Sequence, residues 1–377
     1  MILQRKILNN NIYRNFSTFN YNNAVNHSVI PIIDIKQFKY GSDQTRQSIA
    51  NEIYNVGKNI GFMYIKNSEI DVKLKTKTLE YNQWLFNLPI QKKQLFAQTD
   101  QNIRGYYRFQ GVGYGEQLVI DDETGHAKSI DENNNNHEIE DVIEAFLVGN
   151  DHQKPWVLKK DYYEQRYGKN QSSRFKWLPN CQPNQWPATE PSENGFENDD
   201  TLTENDLKVA KAFRNHMNHY FDVCSQTAST IVSAIALSLA LPLNHFDHFH
   251  SKNDHTMELK HYKPSTNTNK NNKVRMNEHA DLSTLTLLIQ NKGTDGLQLW
   301  NQSEWIDAPF LDDAILVNTG DVMERLSNGQ YKSTKHRVVM NNQKSHLSRY
   351  STVFFYVPNW EKEITNSDLM GDLIPFS

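Results

Sequence analysis

Hydrophobic residues follow two different spacings along the chain. Before residue 253, apolar positions mostly recur every three or four residues, which is the period of a helix with one buried face. The longest such run has a capping signal at Thr203 and Asp206, and Pro242 is expected to end it. After Asp254, apolar and polar residues alternate in short segments separated by glycine turns, as in β-strands. The pattern predicts an α+β protein whose carboxyl-terminal third is an antiparallel barrel or jelly roll.

Individual segments follow from the same pattern. A strand is expected from Val29, then a helix carrying Ile49 to Ile60, then a strand over 61–65. Hairpin-type connections are expected at 293–296 and 328–329, and exposed loops at the asparagine runs 133–136 and 267–272. The later strands are predicted at 257–262, 284–289, 297–300, 314–317, 336–340 and 352–357.

Composition excludes several classes of protein. The chain has 377 residues, enough to bury a core without disulfide or metal cross-links, so a metal site would serve chemistry. A net charge of -4 provides no long basic face, and nucleic acid is not an expected partner. Cys181 and Cys224 form no CxxC pair and no disulfide framework, and no apolar stretch is long enough to cross a bilayer. The sequence does not indicate an oligomeric state.

The amino terminus has the composition of a targeting segment. No acidic residue precedes Asp34, whereas Arg5, Lys6 and Arg14 lie among apolar residues, as in a mitochondrial presequence. The alternative is a disordered, asparagine-rich segment of a cytoplasmic protein. The expected organisation is a targeting or disordered segment at 1–28, a region with the long support helix at 29–252, a β core at 253–360 and a tail at 361–377.

Candidate chemistry is concentrated in the β region. On a strand, His279 and Asp281 would point to the same face and offer a metal one nitrogen and one oxygen. His336 opens a later predicted strand and is the natural third ligand. Two histidines and one carboxylate with open positions are typical of non-haem Fe(II) oxygenases.

A second HxD sequence provides an internal comparison. His245-Phe246-Asp247 lies just after the long helix, without alternation to align its side chains and without a histidine at the corresponding distance downstream. We interpret its surroundings, which include His248, His250 and His255, as a solvated loop.

Arg349 and Ser351 are the candidate anchor for a carboxylate. They share one face of a predicted strand, where a planar guanidinium and a hydroxyl can bind a carboxylate together. Arg46-Gln47-Ser48 and Arg325-Leu326-Ser327 repeat the local pattern, but only Arg349 follows the complete set of metal ligands.

The ordered set His279-x-Asp281, His336, Arg349-x-Ser351 resembles the Fe(II) and 2-oxoglutarate-dependent dioxygenases, in particular the isopenicillin N synthase-like branch. The resemblance extends from Val29 to Pro358. It rests also on these segments: Ile30-Pro31-Ile32-Ile33-Asp34, Gly61-Phe62-Met63-Tyr64-Ile65-Lys66-Asn67, Asn87-Leu88-Pro89 with Lys92-Lys93, Gly105-Tyr106, Glu144-Ala145-Phe146 and Asn184-Gln185-Trp186-Pro187.

The resemblance implies a double-stranded β-helix (jelly-roll, cupin-like) core with flanking helices. It implies an oxidoreductase that uses Fe(II), 2-oxoglutarate and dioxygen to hydroxylate, desaturate or cyclise a small molecule. His279, Asp281 and His336 would bind iron, and Arg349 and Ser351 would bind the co-substrate. Tyr262 falls where the branch has a pocket-lining tyrosine followed by two prolines, although Lys263 replaces the first proline. The alternatives are an oxidase of the same branch that does not use 2-oxoglutarate, and a non-catalytic β-barrel binding module.

Overall fold

The structure is a computed structural model. It describes residues 30–99, 102–110, 118–120, 127–129, 137–138, 142–151, 183–188, 203–264, 274–340, 344, 346–360, 362 and 364. The predicted segment 1–28, both asparagine runs, Cys181 and most of the tail lie outside these residues. The cellular location and the four-part organisation therefore stay predictions.

The helices form where the three- and four-residue spacing indicated. The long one, α5, spans Glu204–Ser238, and Thr203 and Asp206 form a reciprocal capping box at its start. It ends before Pro242, and Cys224 is buried in its apolar face, as predicted. The described helices are α1 (Lys36–Tyr40), α2 (Asp43–Asn59), α3 (Val72–Asn87), α4 (Ile90–Gln94), α5, α6 (Asp247–His250) and α7 (Asp321–Leu326). None of them has the length and hydropathy needed to span a bilayer.

The strands build two larger sheets and one small one. They are β1 (Ile32–Asp34), β2 (Phe62–Lys66), β3 (Gly105–Gln110), β4 (Leu118–Ile120), β5 (Ala127–Ser129), β6 (His137–Glu138), β7 (Val142–Gly149), β8 (Thr256–Tyr262), β9 (Val274–His279), β10 (Leu285–Gln290), β11 (Leu297–Trp300), β12 (Trp305–Asp307), β13 (Ala314–Thr319), β14 (His336–Val339) and β15 (Arg349–Tyr356). The major sheet has the order β1-β2-β13-β10-β15-β8-β7-β3, the minor sheet β12-β11-β14-β9, and the small sheet β4-β5-β6.

The major and minor sheets enclose the cavity that holds the candidate site. Leu288 and Val353 of the major sheet line it from one side, and Leu297 and Val338 of the minor sheet from the other. Helices α2, α3 and α5 pack on the major sheet, and α2 and α3 each pack on α5. The α+β jelly roll expected from the sequence is confirmed. Strands from before residue 253 complete the major sheet at both ends, because β2 pairs with β13 and β7 pairs with β8.

Two connections differ from the prediction. Segment 293–296 does not close a hairpin, because β10 belongs to the major sheet and β11 to the minor sheet. Asn328 and Gly329 do form a turn with positive φ angles, but the turn follows helix α7 instead of joining two paired strands. The turn-forming residues correctly predicted where the chain bends. They could not predict which strands pair, because pairing depends on segments that are far apart in the sequence.

The histidine-rich segment after α5 is also not a solvated loop throughout. His250 and His255 are buried, and the Nδ1 of each lies within hydrogen-bond distance of the Val357 carbonyl. His250 stacks on Tyr356, with ring centroids 4.1 Å apart. These two histidines are satisfied core residues, because β15 and the segment after it cover them.

Candidate active site

Strand register brings the two candidate histidines together. His279 is the last residue of β9 and His336 the first of β14, and the two are directly paired across the minor sheet. Their ring centroids lie 4.3 Å apart. Phe62 of β2 packs edge-on against His336, with ring centroids at 5.5 Å, so the amino-terminal region also contacts this site.

Asp281 reaches the same point from a loop. The expectation that His279 and Asp281 project from one strand is wrong, because β9 ends at His279. The backbone N–H of Asp321, at the start of α7, donates to the Asp281 carbonyl at 2.8 Å. Gly320 permits this approach, since a Cβ there would lie 2.5 Å from the same carbonyl oxygen. The loop is therefore fixed by α7, and the carboxylate is aimed by tertiary contacts.

The three side chains present their ligand atoms to one point. Asp281 Oδ1 is 3.8 Å from His279 Nε2 and 3.6 Å from His336 Nε2. Among the described residues, this is the one group of three or more His, Cys, Asp or Glu side chains with ligand atoms within 4.8 Å of one another. The second HxD sequence, at His245 and Asp247, is not part of such a group.

Hydrogen bonds orient each ligand atom. The Nδ1–H of His279 donates to the Asn277 carbonyl at 2.8 Å, and that of His336 to the Thr334 carbonyl at 3.2 Å. Each Nε2 lone pair is thereby left for a metal. Thr286 Oγ1 and Asn318 Nδ2 donate to Asp281 Oδ2 at 2.7 and 2.9 Å, which leaves Oδ1 facing the imidazoles.

The protonation states also suit a metal. Burial, followed by the neighbouring His336, lowers the pKa of His279, which keeps that ring neutral. Burial alone would raise the pKa of Asp281, but His336 and the hydrogen bonds from Asn318 and Thr286 hold it below its usual value. At His279 and Asp281, metal binding therefore competes with few protons at neutral pH.

Arg349 and Ser351 lie in the same cavity, on β15. The Arg349 side chain donates to Gln290 Oε1 at 2.8 Å and to Ser351 Oγ at 3.3 Å, and its guanidinium lies 4.7 Å from the centre of the Tyr262 ring. Only 3% of Arg349 is exposed, and its Nε has no hydrogen-bond partner among the described residues. Neither of these two acceptors is a carboxylate, so this buried cation is suited to an anionic ligand.

The remaining cavity wall is mostly apolar. Counted with the part that is open to solvent, the cavity has a volume of about 470 Å³, and it is lined by all six predicted site residues, His279, Asp281, His336, Arg349, Ser351 and Tyr262. Seven apolar residues also line it: Phe62, Met276, Leu288, Leu297, Val338, Val353 and Phe355. An apolar wall lowers the local dielectric constant and so strengthens electrostatic interactions beside it.

Comparison with known proteins agrees with this geometry. The sequence model of the 2OG-Fe(II) oxygenase superfamily matches residues 253–358, and the model for the non-haem dioxygenase in morphine synthesis N-terminal region matches residues 30–189. The chain belongs to the Fe(II) and 2-oxoglutarate-dependent oxygenase superfamily. The oxygenase thus uses Fe(II), 2-oxoglutarate and dioxygen, as the resemblance implied.

Relatives of this oxygenase span most of its length. A 2-oxoglutarate-dependent dioxygenase of Penicillium crustosum is 25% identical and covers 87% of the chain and 84% of its own length. Homoarginine-6-hydroxylase of Glycine max is 27% identical, with coverages of 92% and 90%. Among solved structures, a full-length Neurospora crassa protein in complex with alpha-KG has a TM-score of 0.66, 25% identity, and coverages of 91% and 90%.

The residues of this site fit both Fe(II) and 2-oxoglutarate, which the superfamily requires. Two imidazole nitrogens and one carboxylate oxygen form the donor set that ferrous iron accepts. The unpaired Nε of Arg349 and the hydroxyl of Ser351 can hold a carboxylate.

Several residues around the site were not predicted from the sequence. Thr286 and Asn318 orient Asp281, Gln290 orients Arg349, and Phe62 covers His336. Asn318 could have been identified from the sequence, because it is a polar residue in the otherwise apolar run of β13. The others required the register between strands that are far apart in sequence.

Proposed function

We propose that this oxygenase oxidises a small organic molecule at a ferrous ion held by His279, Asp281 and His336, with 2-oxoglutarate anchored by Arg349 and Ser351. The observation that carries the proposal is the placement of the three metal-type ligands and a buried guanidinium, hydrogen-bonded to neutral acceptors, in one cavity. If Arg349 were only structural, we would expect a carboxylate of the protein as its partner. At a binding site, the ligand supplies that negative charge.

The protein's part in the metal chemistry is to hold the donors in place. Carbonyl groups of Asn277 and Thr334 accept the Nδ1–H of the two imidazoles, so that each ring turns its Nε2 toward the metal position. Thr286 and Asn318 hold one oxygen of Asp281 and turn the other toward the metal position. A ferrous ion held by only these three protein ligands would keep further coordination positions for the reactants.

Arg349 and Ser351 would hold the distal carboxylate of 2-oxoglutarate and so fix its keto-acid end toward the metal ligands. Gln290 holds the guanidinium and Tyr262 packs on its face, which limits its freedom before the ligand arrives. When bound, iron and 2-oxoglutarate supply the oxidative decarboxylation that activates dioxygen for oxidation of the substrate.

The mostly apolar wall favours a small molecule over a polymer. A structure of the full-length Neurospora crassa protein with alpha-KG and thymine, 26% identical with a TM-score of 0.65, illustrates a small planar molecule on this fold. For the present chain we infer the same size class, with at least one apolar surface placed against Phe62, Val353 and Phe355.

Anaerobic titration tests the anchor. Purified protein with Fe(II) and 2-oxoglutarate should develop the visible charge-transfer band of the chelate. Arg349→Lys should weaken 2-oxoglutarate binding about tenfold or more, because a point charge cannot reproduce paired guanidinium hydrogen bonds.

Arg325→Lys is the matched control, since Arg325-Leu326-Ser327 repeats the local sequence but Arg325 is exposed on α7. Its affinity should equal that of the unmodified protein. Equal affinities for all three proteins would contradict the role of Arg349, and absence of the band from the unmodified protein would contradict the proposal as a whole.

A further inference from the structure

Helix α3 turns a polar stripe toward the protein interior. Its buried positions include Lys75, Thr78 and Asn82, which share one helix face because they are spaced by three and four residues. The buried face of a helix is usually apolar, since a polar group loses its hydrogen bonds to water on burial. The reason for this stripe must therefore lie in the groups that its side chains bind.

Lys75 and Thr78 are accounted for by structural contacts. The Lys75 ammonium donates to three backbone carbonyls of segment 311–314, at distances between 2.6 and 3.1 Å, which uses all of its donors. The Thr78 hydroxyl lies 2.9 Å from Nε2 of His216 on α5. These contacts fix α3 against the start of β13 and against α5.

Asn82 makes its contacts with the strand that carries the proposed co-substrate anchor. It is fully buried, and its Nδ2 donates to the Ser351 carbonyl at 2.9 Å and to the Thr352 hydroxyl oxygen at 3.1 Å. Its Oδ1 is buried without a hydrogen-bond partner among the described residues. An unpaired buried oxygen destabilises the fold, so the amide gains stability through Nδ2 and loses part of it through Oδ1.

These hydrogen bonds reach β15 from the face opposite to the cavity. Successive residues of a strand point to opposite faces. Ser351 lines the cavity, where its hydroxyl accepts a hydrogen bond from Arg349 at 3.3 Å, whereas Thr352 points toward α3. Asn82 therefore holds the backbone of the residue whose side chain faces the ligand. None of the described residues that line the cavity belongs to α3 itself.

We propose that Asn82 is a positioning residue that fixes the backbone of β15 at Ser351 and so aligns Arg349 and Ser351 with the distal carboxylate of 2-oxoglutarate. The inference rests on the proposed function, because it assumes that these two residues bind that carboxylate. Paired hydrogen bonds from a planar guanidinium require an accurate position, since each weakens steeply when its angle departs from linearity. A contact outside the cavity thus sets the affinity inside it.

Asn82→Leu tests the proposal, because leucine keeps the branched shape of the side chain but forms no hydrogen bond. The substitution removes the bonds to β15 and the unpaired Oδ1 together, so the denaturant midpoint of unfolding should change little. The affinity for 2-oxoglutarate, titrated through the anaerobic charge-transfer band, should fall about fivefold, the typical effect of losing one net hydrogen bond. Asn82→Ala, which avoids any crowding, decides the question if the leucine variant does not fold.

A double-mutant cycle with Arg349→Lys distinguishes positioning from a general loosening of the fold. The lysine removes the planar fork that Asn82 is proposed to align. In that background, Asn82→Leu should weaken 2-oxoglutarate binding by about twofold at most. A merely structural residue would give the same fold loss in both backgrounds, because its effect does not act through Arg349.

Thr227→Val is the matched control. Thr227 is also buried, and its hydroxyl has no hydrogen-bond partner among the described residues, but it lies on α5. Both substitutions remove a buried unpaired oxygen from a helix that packs on β15. The control should bind 2-oxoglutarate with unchanged affinity, since no hydrogen bond to β15 is lost.

Unchanged affinity for 2-oxoglutarate in a folded Asn82 variant would overturn the inference. Equal fold losses in the two backgrounds of the cycle, or a matching loss in Thr227→Val, would overturn it as well. If the unmodified protein gives no band, or if Arg349→Lys binds 2-oxoglutarate normally, the proposed function fails instead, so the two failures are distinguishable.

Discussion

The major sheet buries charged side chains on both of its faces around strand β8, and Glu144 on one face and Arg349 on the other are paired differently. On the face toward the helices, the Glu144 carboxylate accepts hydrogen bonds from Lys93 at 2.7 Å, Tyr106 at 2.6 Å and His261 Nδ1 at 2.9 Å. On the cavity face, Arg349 is equally buried but donates to the neutral acceptors Gln290 and Ser351. A buried charge that is paired with an opposite charge of the protein stabilises the fold. A buried charge that has only neutral partners is suited to bind a charged ligand.

The helix-facing group is defined by Glu144, Lys93, Tyr106 and His261. Burial alone would raise the pKa of Glu144, but the hydrogen bond from His261 and the charge of Lys93 hold it well below its usual value. Every partner comes from the protein itself. We therefore expect substitutions in this group to change stability, and substitutions on the cavity face to change binding and turnover.

The largest expected effect is on the cavity face. Asp281→Ala removes one of three metal ligands and should lower iron affinity by more than about 100-fold, the upper loss seen for residues that merely support a ligand. Turnover should disappear while the thermal unfolding temperature changes little, because the fold does not depend on the metal. Iron content, 2-oxoglutarate turnover and calorimetry measure the three quantities; retained turnover would contradict the metal assignment.

The converse is expected for Glu144→Gln. The amide keeps the shape but leaves the Lys93 ammonium buried without its carboxylate, which should cost about 3 kcal/mol of unfolding free energy. Denaturant titration measures this loss, and the affinity for 2-oxoglutarate should be unchanged. Asp313→Asn is the control, since its ion pair with Lys66 is largely exposed and should contribute under about 1 kcal/mol. Equal losses in both variants would show that the buried helix-facing group stabilises the fold no more than an exposed ion pair does.

A third prediction concerns acid stability and the buried histidines. Burial lowers the pKa of His250 from 6.5 to about 4. As the pH falls below 6.5, the unfolded chain binds a proton that the folded chain does not, so stability decreases down to pH 4 and not further. The loss should approach about 3 kcal/mol for this residue.

Denaturant titrations between pH 7 and pH 4 measure this slope. His250→Gln should reduce the slope, and it should do so more than His248→Gln, because His248 lies at an exposed position of the same helix. An unaltered slope in the His250 variant would show that acid sensitivity has another source, such as His255, whose pKa burial also lowers.

Local pattern was sufficient to predict α5, most β segments and the identity of the candidate ligands, because each depends on nearby residues. It could not predict that Asp281 lies beyond β9, since α7 and Gly320 place that loop. Nor could it predict that His250 and His255 are buried, or that Lys260 pairs with Ser351. Those features depend on register and on packing between segments about a hundred residues apart.

The pairing of β2 with β13 and of β7 with β8 has a practical consequence. Excising residues 253–360 would strip both flanking strands and expose the backbone edges of β13 and β8 to solvent. Unprotected edges invite intermolecular strand addition, so such a fragment should form aggregates. The β region that carries the candidate site therefore needs the preceding half of the polypeptide, because β2 and β7 cover the edges of the strands around that site.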